Sequence, residues 1–418
     1  MSGQPAAGAG EQSASPAAAL PLIDAPTPIA PFALARLPRI EFGAGVLDKL
    51  PAIAGELGRR LLIVSGRRSF AESASGARLF ADLRRAGLTF EQVQVAGEPS
   101  PELVDGAVAS LRGTPVEVVV GIGGGSALDA AKAIAGLLRT GHSVLDHLEG
   151  VGPEIPYQGP ATPFIAVPTT AGSGSEATKN AVLTRTGSFK KSFRHDKLVA
   201  EWAIVDPELL ATCPPELIAA NGLDAFTQLL ESFVATRANP LTDALARAGI
   251  MAARAALGEL YRQQSAAARA QMAHASLLSG ICLAQTGLGA VHGLASPLGA
   301  FFPIPHGVVC GTLVAATTAA NIAALEARAP EHPALRKYAE VGRRFARQKG
   351  LAGPAARRYL IDCLLHWQDE LALPRLSVYG VRSDDLPRVV AASRAGSMQT
   401  NPVVLSDDEL GGILRERL

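Results

Sequence analysis

The sequence predicts a largely parallel α/β domain followed by an all-α helical domain. From about residue 40 to 206, short β-branched runs alternate with helical stretches, as in a parallel sheet with crossover helices. After "AIVDPELL" (203–210) the text turns to long Ala- and Leu-rich helical segments. With 418 residues the chain is long enough for two or three domains with substantial cores.

The opening "MSGQPAAGAGEQSASPAAAL" is rich in Ala, Pro, Gly and Ser, with neither the basic start nor the unbroken apolar stretch of a signal peptide. Residues 1–30 are therefore expected to be a disordered tail. "RRLLIVSG" (59–66), "VEVVVGIGGG" (116–125) and "TPFIAVPTT" (162–170) read as strands ending in small or hydroxylated residues, and "SALDAAKAIAGLLR" (126–139) as the helix after the second. The α/β domain is expected over 31–208 and the helical domain over 209–418. Breaks in the helical domain are expected at Pro214–Pro215, Pro240, Pro297, Pro303–Pro305 and Pro354.

Lys+Arg 39 against Asp+Glu 38 leaves a formal charge of +1, so no global field favours nucleic acid or an anionic membrane. Small molecules are the expected partners. The cysteines Cys213, Cys282, Cys310 and Cys363 lie far apart with no CxxC, against a disulfide framework or zinc ribbon and in keeping with a reducing cytoplasm. "GVVCGTLVAATTAANIAAL" (307–325) is uncharged over about the length of a membrane span. Its Thr312, Thr317, Thr318 and Asn321 suit a buried helix of a soluble bundle better.

The turn "GIGGGSALDAAK" (121–132) lies between a strand and a helix, so its glycines can bring backbone N–H groups to a phosphate with the positive helix end behind them. The spacing is not the usual G-x-G-x-x-G, and a tight structural turn is the competing reading. "VPTTAGSGSEATKN" (167–180) adds hydroxyls from Thr169, Thr170, Ser173, Ser175 and Thr178 at another strand end. Two such loops favour a dinucleotide-binding role over local turn chemistry.

In "NGLDAFTQLL" (221–230), Asp224 and Gln228 stand one helical turn apart on one face, where they can share a metal ion or hydrogen-bond each other. His292 and His306 flank a Pro- and Gly-broken connector, and spacing alone does not bring them together. Joined, these four make an oxygen and nitrogen set suited to iron or zinc, a cation that can polarise a carbonyl or hold an alkoxide.

The stretches "GIGGGSALDAAKAIA", "PTTAGSGSEAT", "NGLDAFTQLLES" and "VHGLASPLGAFFPIPHG" resemble, in that order, the iron-containing (group III) alcohol dehydrogenase family. The resemblance runs from about Phe32 to the end. It implies a dinucleotide-binding α/β domain, a helical metal-binding domain of the dehydroquinate synthase-like fold, and hydride transfer between NAD or NADP and an alcohol or aldehyde. It implies that Gly124, Gly125 and Ser126 form the pyrophosphate loop, with Asp129 on the helix behind. Thr169, Thr170 and Thr178 resemble a second cofactor loop, Lys190 or Lys191 a lysine reaching the cofactor, and Ser100 a polar position near it. Asp224, His292 and His306 match three ligands of a catalytic divalent metal, Fe2+ first and Zn2+ second.

Two positions depart from the family. Gln228 stands where the family usually has His, which leaves the site charge unchanged but removes a softer donor. Ser296 stands where some members carry a further His, which puts proton relay there in doubt. Gly66 ends an early strand where NAD-preferring members often carry an acidic residue, while Arg67 and Arg68 follow directly and can pair with a 2′-phosphate, a leaning toward NADP(H). The resemblance thus implies a metal-dependent oxidoreductase of a small-molecule alcohol or aldehyde, cytoplasmic and homo-oligomeric as a dimer. A metal-free reductase or lyase of the same superfamily, or a non-catalytic cofactor-binding protein, are the alternatives.

Overall fold

The computed structural model describes residues 2–3, 29–67 and 70–418. Most of the expected tail, and Arg68, lie outside the described residues. Of the compact unit Met1–Phe32, the described residues are exposed. The unit Ala33–Leu418 carries all the elements that follow.

The first half of that unit contains β1 (Arg39–Phe42), α1 (Leu50–Leu57), β2 (Arg60–Gly66), α2 (Ala74–Arg85), β3 (Thr89–Val95), α3 (Pro101–Ser110), β4 (Val118–Gly123), α4 (Gly125–Leu137), β5 (Phe164–Pro168), β6 (Asn180–Arg185), β7 (Phe189–Arg194) and β8 (Trp202–Val205). Six strands form a parallel sheet in the order β1-β8-β5-β4-β2-β3, while β6 and β7 make a separate antiparallel hairpin. The central strands are covered on both faces, which is why they read as unbroken apolar runs. Leu62, Val64 and Val119 face α4, whereas Leu61, Ile63, Val118 and Val120 join the core on the opposite face with Leu50 and Leu83. From β2 the chain steps outward to β3, then returns to place β4 on the other side of β2. The carboxyl ends of β2 and β4 therefore flank the point where strand order reverses, the usual ligand crevice of open parallel sheets.

The second half is helical: α5 (Pro215–Val234), α6 (Pro240–Gln263), α7 (Ala266–Thr286), α8 (Ala290–Phe301), α9 (His306–Arg328), α10 (Pro333–Ala346), α11 (Gly353–Glu370), α12 (Leu386–Ala392) and α13 (Asp407–Glu416). Its prolines mostly start helices, where a missing N–H costs nothing. Pro215 and Pro240 are first residues, Pro354 is second, and Asn239 caps α6 by accepting from Thr242 N. The break expected at Pro297 is absent, because Pro297 lies inside α8. An interior proline costs about 3 kcal/mol, and burial of Val291, Leu294 and Leu298 on this short helix offsets that cost. The long apolar helix α9 is 83% buried over its most apolar window, so its lack of charge reflects packing among other helices.

Candidate metal centre and cofactor cleft

The glycine turn and the second loop meet because β4 and β5 are neighbours in the sheet. Thr169 N donates to Gly123 O at 2.9 Å. A Cβ on Gly124 would lie 3.2 Å from Thr170 Oγ1, and one on Gly125 2.8 Å from Ser173 Oγ, so bare backbone lets the loops pack this closely with both hydroxyls in place. Gly124 is the N-cap residue of α4 and no side chain caps that end, so the first N–H groups of the helix, at Gly125 and Ser126, are without an intrahelical acceptor and suit an anion. Gly66 closes β2 beside the same turn, with its N 3.6 Å from a Cβ built on Gly123, and Arg67 is exposed.

Asp129, Thr178 and Ser100, also expected near the cofactor, make hydrogen bonds within the protein. Asp129 accepts from Ser175 Oγ at 2.6 Å and from Val182 N at 3.1 Å, tying α4 to the segment that leads into β6. Lys132, which burial drives down to about 8, donates to Thr178 Oγ1 at 2.9 Å and to the carbonyls of Ser175 and Asn180. The Thr178 hydroxyl is thus spent inside the protein. Ser100 caps α3 by accepting from Leu103 N at 3.2 Å.

The hairpin separates the two lysines, since neighbouring residues on a strand face opposite ways. Lys190 Nζ pairs with Glu98 Oε2 at 3.0 Å and is 8% exposed. Its charge also acts on His306. Lys191 instead points to the turn at Gly150, with Nζ 3.4 Å from a Cβ built there. Ser296 on α8 donates to Lys190 O at 3.1 Å, so its hydroxyl anchors the hairpin.

The second loop abuts the helical half through contacts that only glycine permits. A Cβ on Gly172 would sit 2.7 Å from Asn221 Cβ, and one on Gly174, whose φ is +61°, 2.4 Å from Gly280 Cα. Three residues after Asn221, α5 presents Asp224. The two histidines come together because α8 and α9 are joined only by the short proline-containing turn at 302–305, which sets His306 at the first turn of α9 with its ring centre 5.4 Å from that of His292.

Asp224 Oδ1 lies 3.3 Å from His292 Nε2 and 3.8 Å from His306 Nε2. Cys310, four residues beyond His306 and on the same face of α9, brings its Sγ to 3.5 Å from His292 Nε2 and 3.7 Å from His306 Nε2. The four donor atoms all lie within 4.8 Å of one another. Asp224, His292 and Cys310 are buried, and His306, 31% exposed at its side chain, forms the open edge. Gln228 projects from α5 one turn after Asp224, but its Oε1 accepts from Ser279 Oγ at 2.7 Å.

Glu231, a further residue that sequence reasoning missed, holds this cluster in place. Its carboxylate accepts from Gly289 N at 3.0 Å, Val291 N at 2.7 Å and His292 Nδ1 at 2.6 Å. It thereby satisfies the amino end of α8, directs the Nδ1–H of His292 to itself and leaves Nε2 facing Asp224. Burial would raise the Asp224 carboxyl, but His306 and His292 outweigh it and hold it at about 2. Burial drives His306 down to about 4 and pushes the Cys310 thiol up to about 12. Burial also acts to lower His292, yet the groups around it, among them Glu231 and Asp224, outweigh burial and raise it well above the usual imidazole value.

The donor set fits a divalent first-row metal. With bonds of about 2.0–2.2 Å to nitrogen and oxygen and about 2.3 Å to sulfur, a tetrahedral site has donor-to-donor edges of roughly 3.3–3.6 Å. The edges from His292 Nε2 to Asp224 Oδ1 and Cys310 Sγ, 3.3 Å and 3.5 Å, fall in that range. Those from His306 Nε2 to the same two atoms, 3.8 Å and 3.7 Å, lie just beyond it, and one carboxylate is on hand to offset a cation's charge. A parallel sheet with glycine-lined strand ends, joined through close glycine contacts to the helical half that carries such a donor cluster, is an arrangement suited to a dinucleotide and a divalent cation.

Comparison with known proteins identifies the family. Residues 38–207 match the iron-containing alcohol dehydrogenase model and residues 218–418 match the Fe-containing alcohol dehydrogenase C-terminal model. The chain is 36% identical over 272 residues to long-chain-alcohol dehydrogenase 1 of Geobacillus thermodenitrificans, covering 65% of this chain and 68% of that one. It is 30% identical over 390 residues to 1,3-propanediol dehydrogenase of Klebsiella pneumoniae, covering 88% and 95%. The crystal structure of a 1,3-propanediol oxidoreductase superposes with a TM-score of 0.85 at 27% identity, covering 93% of this chain and all of that one. The chain belongs to the iron-containing alcohol dehydrogenase family. It is a metal-dependent oxidoreductase that moves a hydride between NAD or NADP and an alcohol or aldehyde.

Proposed function

We propose that Asp224, His292 and His306 hold the divalent cation, Fe2+ before Zn2+, and that the crevice formed by Gly66, Gly124, Gly125, Ser126, Thr169 and Thr170 holds the dinucleotide. The single observation that carries the reading is the convergence of Asp224 Oδ1, His292 Nε2 and His306 Nε2 from three separate helices. When bound, the cation supplies Lewis acidity at a substrate oxygen, and the nicotinamide supplies or accepts the hydride. Glu231 keeps the His292 Nε2 lone pair aimed inward, and the N–H groups at the start of α4 meet the pyrophosphate. Lys190, buried between Glu98 and the cluster, is the lysine that reaches the cofactor, and Lys191 is not.

On this reading the α/β domain (31–208) carries the cofactor and the helical domain (209–418) carries the metal. NADP is the preferred cofactor, because Gly66 offers no carboxylate to a ribose 2′-hydroxyl and the exposed Arg67 follows it. The enzyme works in the cytoplasm as a homodimer. Among the described residues its edge strand β1 has one side unpaired, and it exposes Ile40 and Phe42, a surface suited to a second copy.

The test is anaerobic reconstitution of metal-stripped protein with Fe2+ or Zn2+, followed by assays with NADPH and NADH against a panel of aldehydes, and with NADP and NAD against alcohols. Turnover should require metal and should favour NADP(H) in kcat/KM. Equal rates with and without metal would overturn the ligand assignment.

A further inference from the structure

We propose that Cys310 is the fourth protein ligand of the metal, bound as a thiolate, and that Gln228 stands outside the coordination shell. The proposal rests on the three-ligand site described above and adds to it. Three observations carry it. The Cys310 sulfur lies 3.5 Å and 3.7 Å from the two imidazole Nε2 atoms, close to the roughly 3.5 Å edge expected when nitrogen and sulfur share one tetrahedral metal. Its sulfur belongs to the set of four donors lying within 4.8 Å of one another. Gln228, the other neutral residue on hand, turns its carbonyl oxygen to Ser279 at 2.7 Å.

The placement follows from helix geometry. His306 and Cys310 are four residues apart on α9, so the histidine that opens the helix and the cysteine one turn later present their donors on one face. Cys310 is fully buried, facing Asp224 and His292. A buried cysteine in a purely apolar setting serves as a small hydrophobe. Here its sulfur faces a carboxylate and two imidazoles instead.

Binding is a ligand exchange without redox change. The Cys310 S–H bond breaks, its proton passes to solvent, and the sulfur lone pair forms the bond to the cation, so one proton is released by this residue per metal bound. A carboxylate and a thiolate together offset both charges of a divalent cation, leaving the site neutral. Sulfur also makes the set softer than oxygen and nitrogen alone, which narrows the margin by which the site takes Fe2+ over Zn2+.

The test uses the full-length protein stripped of metal and titrated with Co2+, whose absorption reports both coordination geometry and sulfur ligation. Wild type should show visible ligand-field bands together with a near-ultraviolet thiolate-to-cobalt charge-transfer band. Cys310→Ser and Cys310→Ala should keep the ligand-field bands and lose the charge-transfer band, and Gln228→Ala should keep both. Two cysteine variants guard against a folding defect in either one. Ligand-field bands in wild type without the charge-transfer band would overturn thiolate ligation while leaving the Asp224, His292 and His306 site standing. No cobalt uptake at all by wild type would overturn both.

Discussion

Glu231 Oε2 lies 2.6 Å from His292 Nδ1, and the same carboxylate caps the amino end of the helix that carries His292. One side chain on α5 thus sets both the orientation of a proposed metal-binding imidazole and the position of its helix. A carboxylate behind a metal-binding histidine fixes the ring and raises its basicity. Glu231→Gln keeps the shape, but its amide nitrogen must face either Val291 N–H or the Nδ1–H of His292. Metal affinity should fall about 10- to 100-fold, with a loss of about 1–3 kcal/mol in stability from the unmatched donors. Metal titration followed by thermal unfolding checks both effects.

The lysines of β7 should separate cleanly. Lys190→Ala should raise the Kd for NADPH about tenfold or more, the value of one charge-assisted hydrogen bond. Lys191→Ala should leave it within about twofold, because Lys191 lies by the Gly150 turn. Fluorescence titration of NADPH into each variant reads the difference directly.

Gly174 and Gly280 mark the closest approach of the second loop to α7. A methyl group on Gly174 would meet the Gly280 backbone at 2.4 Å, in a residue whose φ is +61°. Gly174→Ala should cost about 1–2 kcal/mol for the left-handed backbone and about 1–3 kcal/mol for overpacking. Denaturant unfolding measures that loss, and weaker dinucleotide binding should accompany it.

Glu176, in the same loop, gives the protein a pH-dependent stability. Burial raises its carboxyl to about 7, only partly offset by its own backbone N–H and by Lys132. Because the folded-state value lies above the ordinary 4.5, the folded chain keeps a proton that the unfolded chain has released. This contribution is fully present below about pH 4.5 and is lost as pH rises through about 7. Glu176→Gln should remove the decline, so that above pH 7 the variant exceeds wild type by an amount on the order of 3 kcal/mol. Unfolding curves for both proteins at pH 5 and 8 test the sign.

Much of the sheet was legible because β2, β4 and β5 are buried on both faces and read as unbroken apolar runs. The hairpin was not, since "FKKSFR" in β7 carries its charges across a partly exposed surface. The breaks expected at Pro214–Pro215, Pro240 and Pro354 fall at helix starts, whereas Pro297 shows that packing can carry a proline through a buried helix. In the site, Asp224 and Gln228 are one turn apart on α5 as their spacing implies, but spacing does not reveal that Gln228 turns to Ser279. Glu231 stands three residues after Gln228, and Cys310 four after His306. Both are helical intervals that become informative once the helices are assigned. Which lysine is buried against Glu98 depends on strand alternation and on what each face meets, information that no local pattern carries.

Metal content set against hydride transfer, in anaerobically purified wild type and His306→Ala, tests the metal site directly. Wild type should retain stoichiometric divalent metal and turn over aldehyde with NADPH. His306→Ala should lose metal and turnover together while still binding NADPH. Full turnover by a variant that holds no metal would mean that hydride transfer does not depend on a cation held by His306.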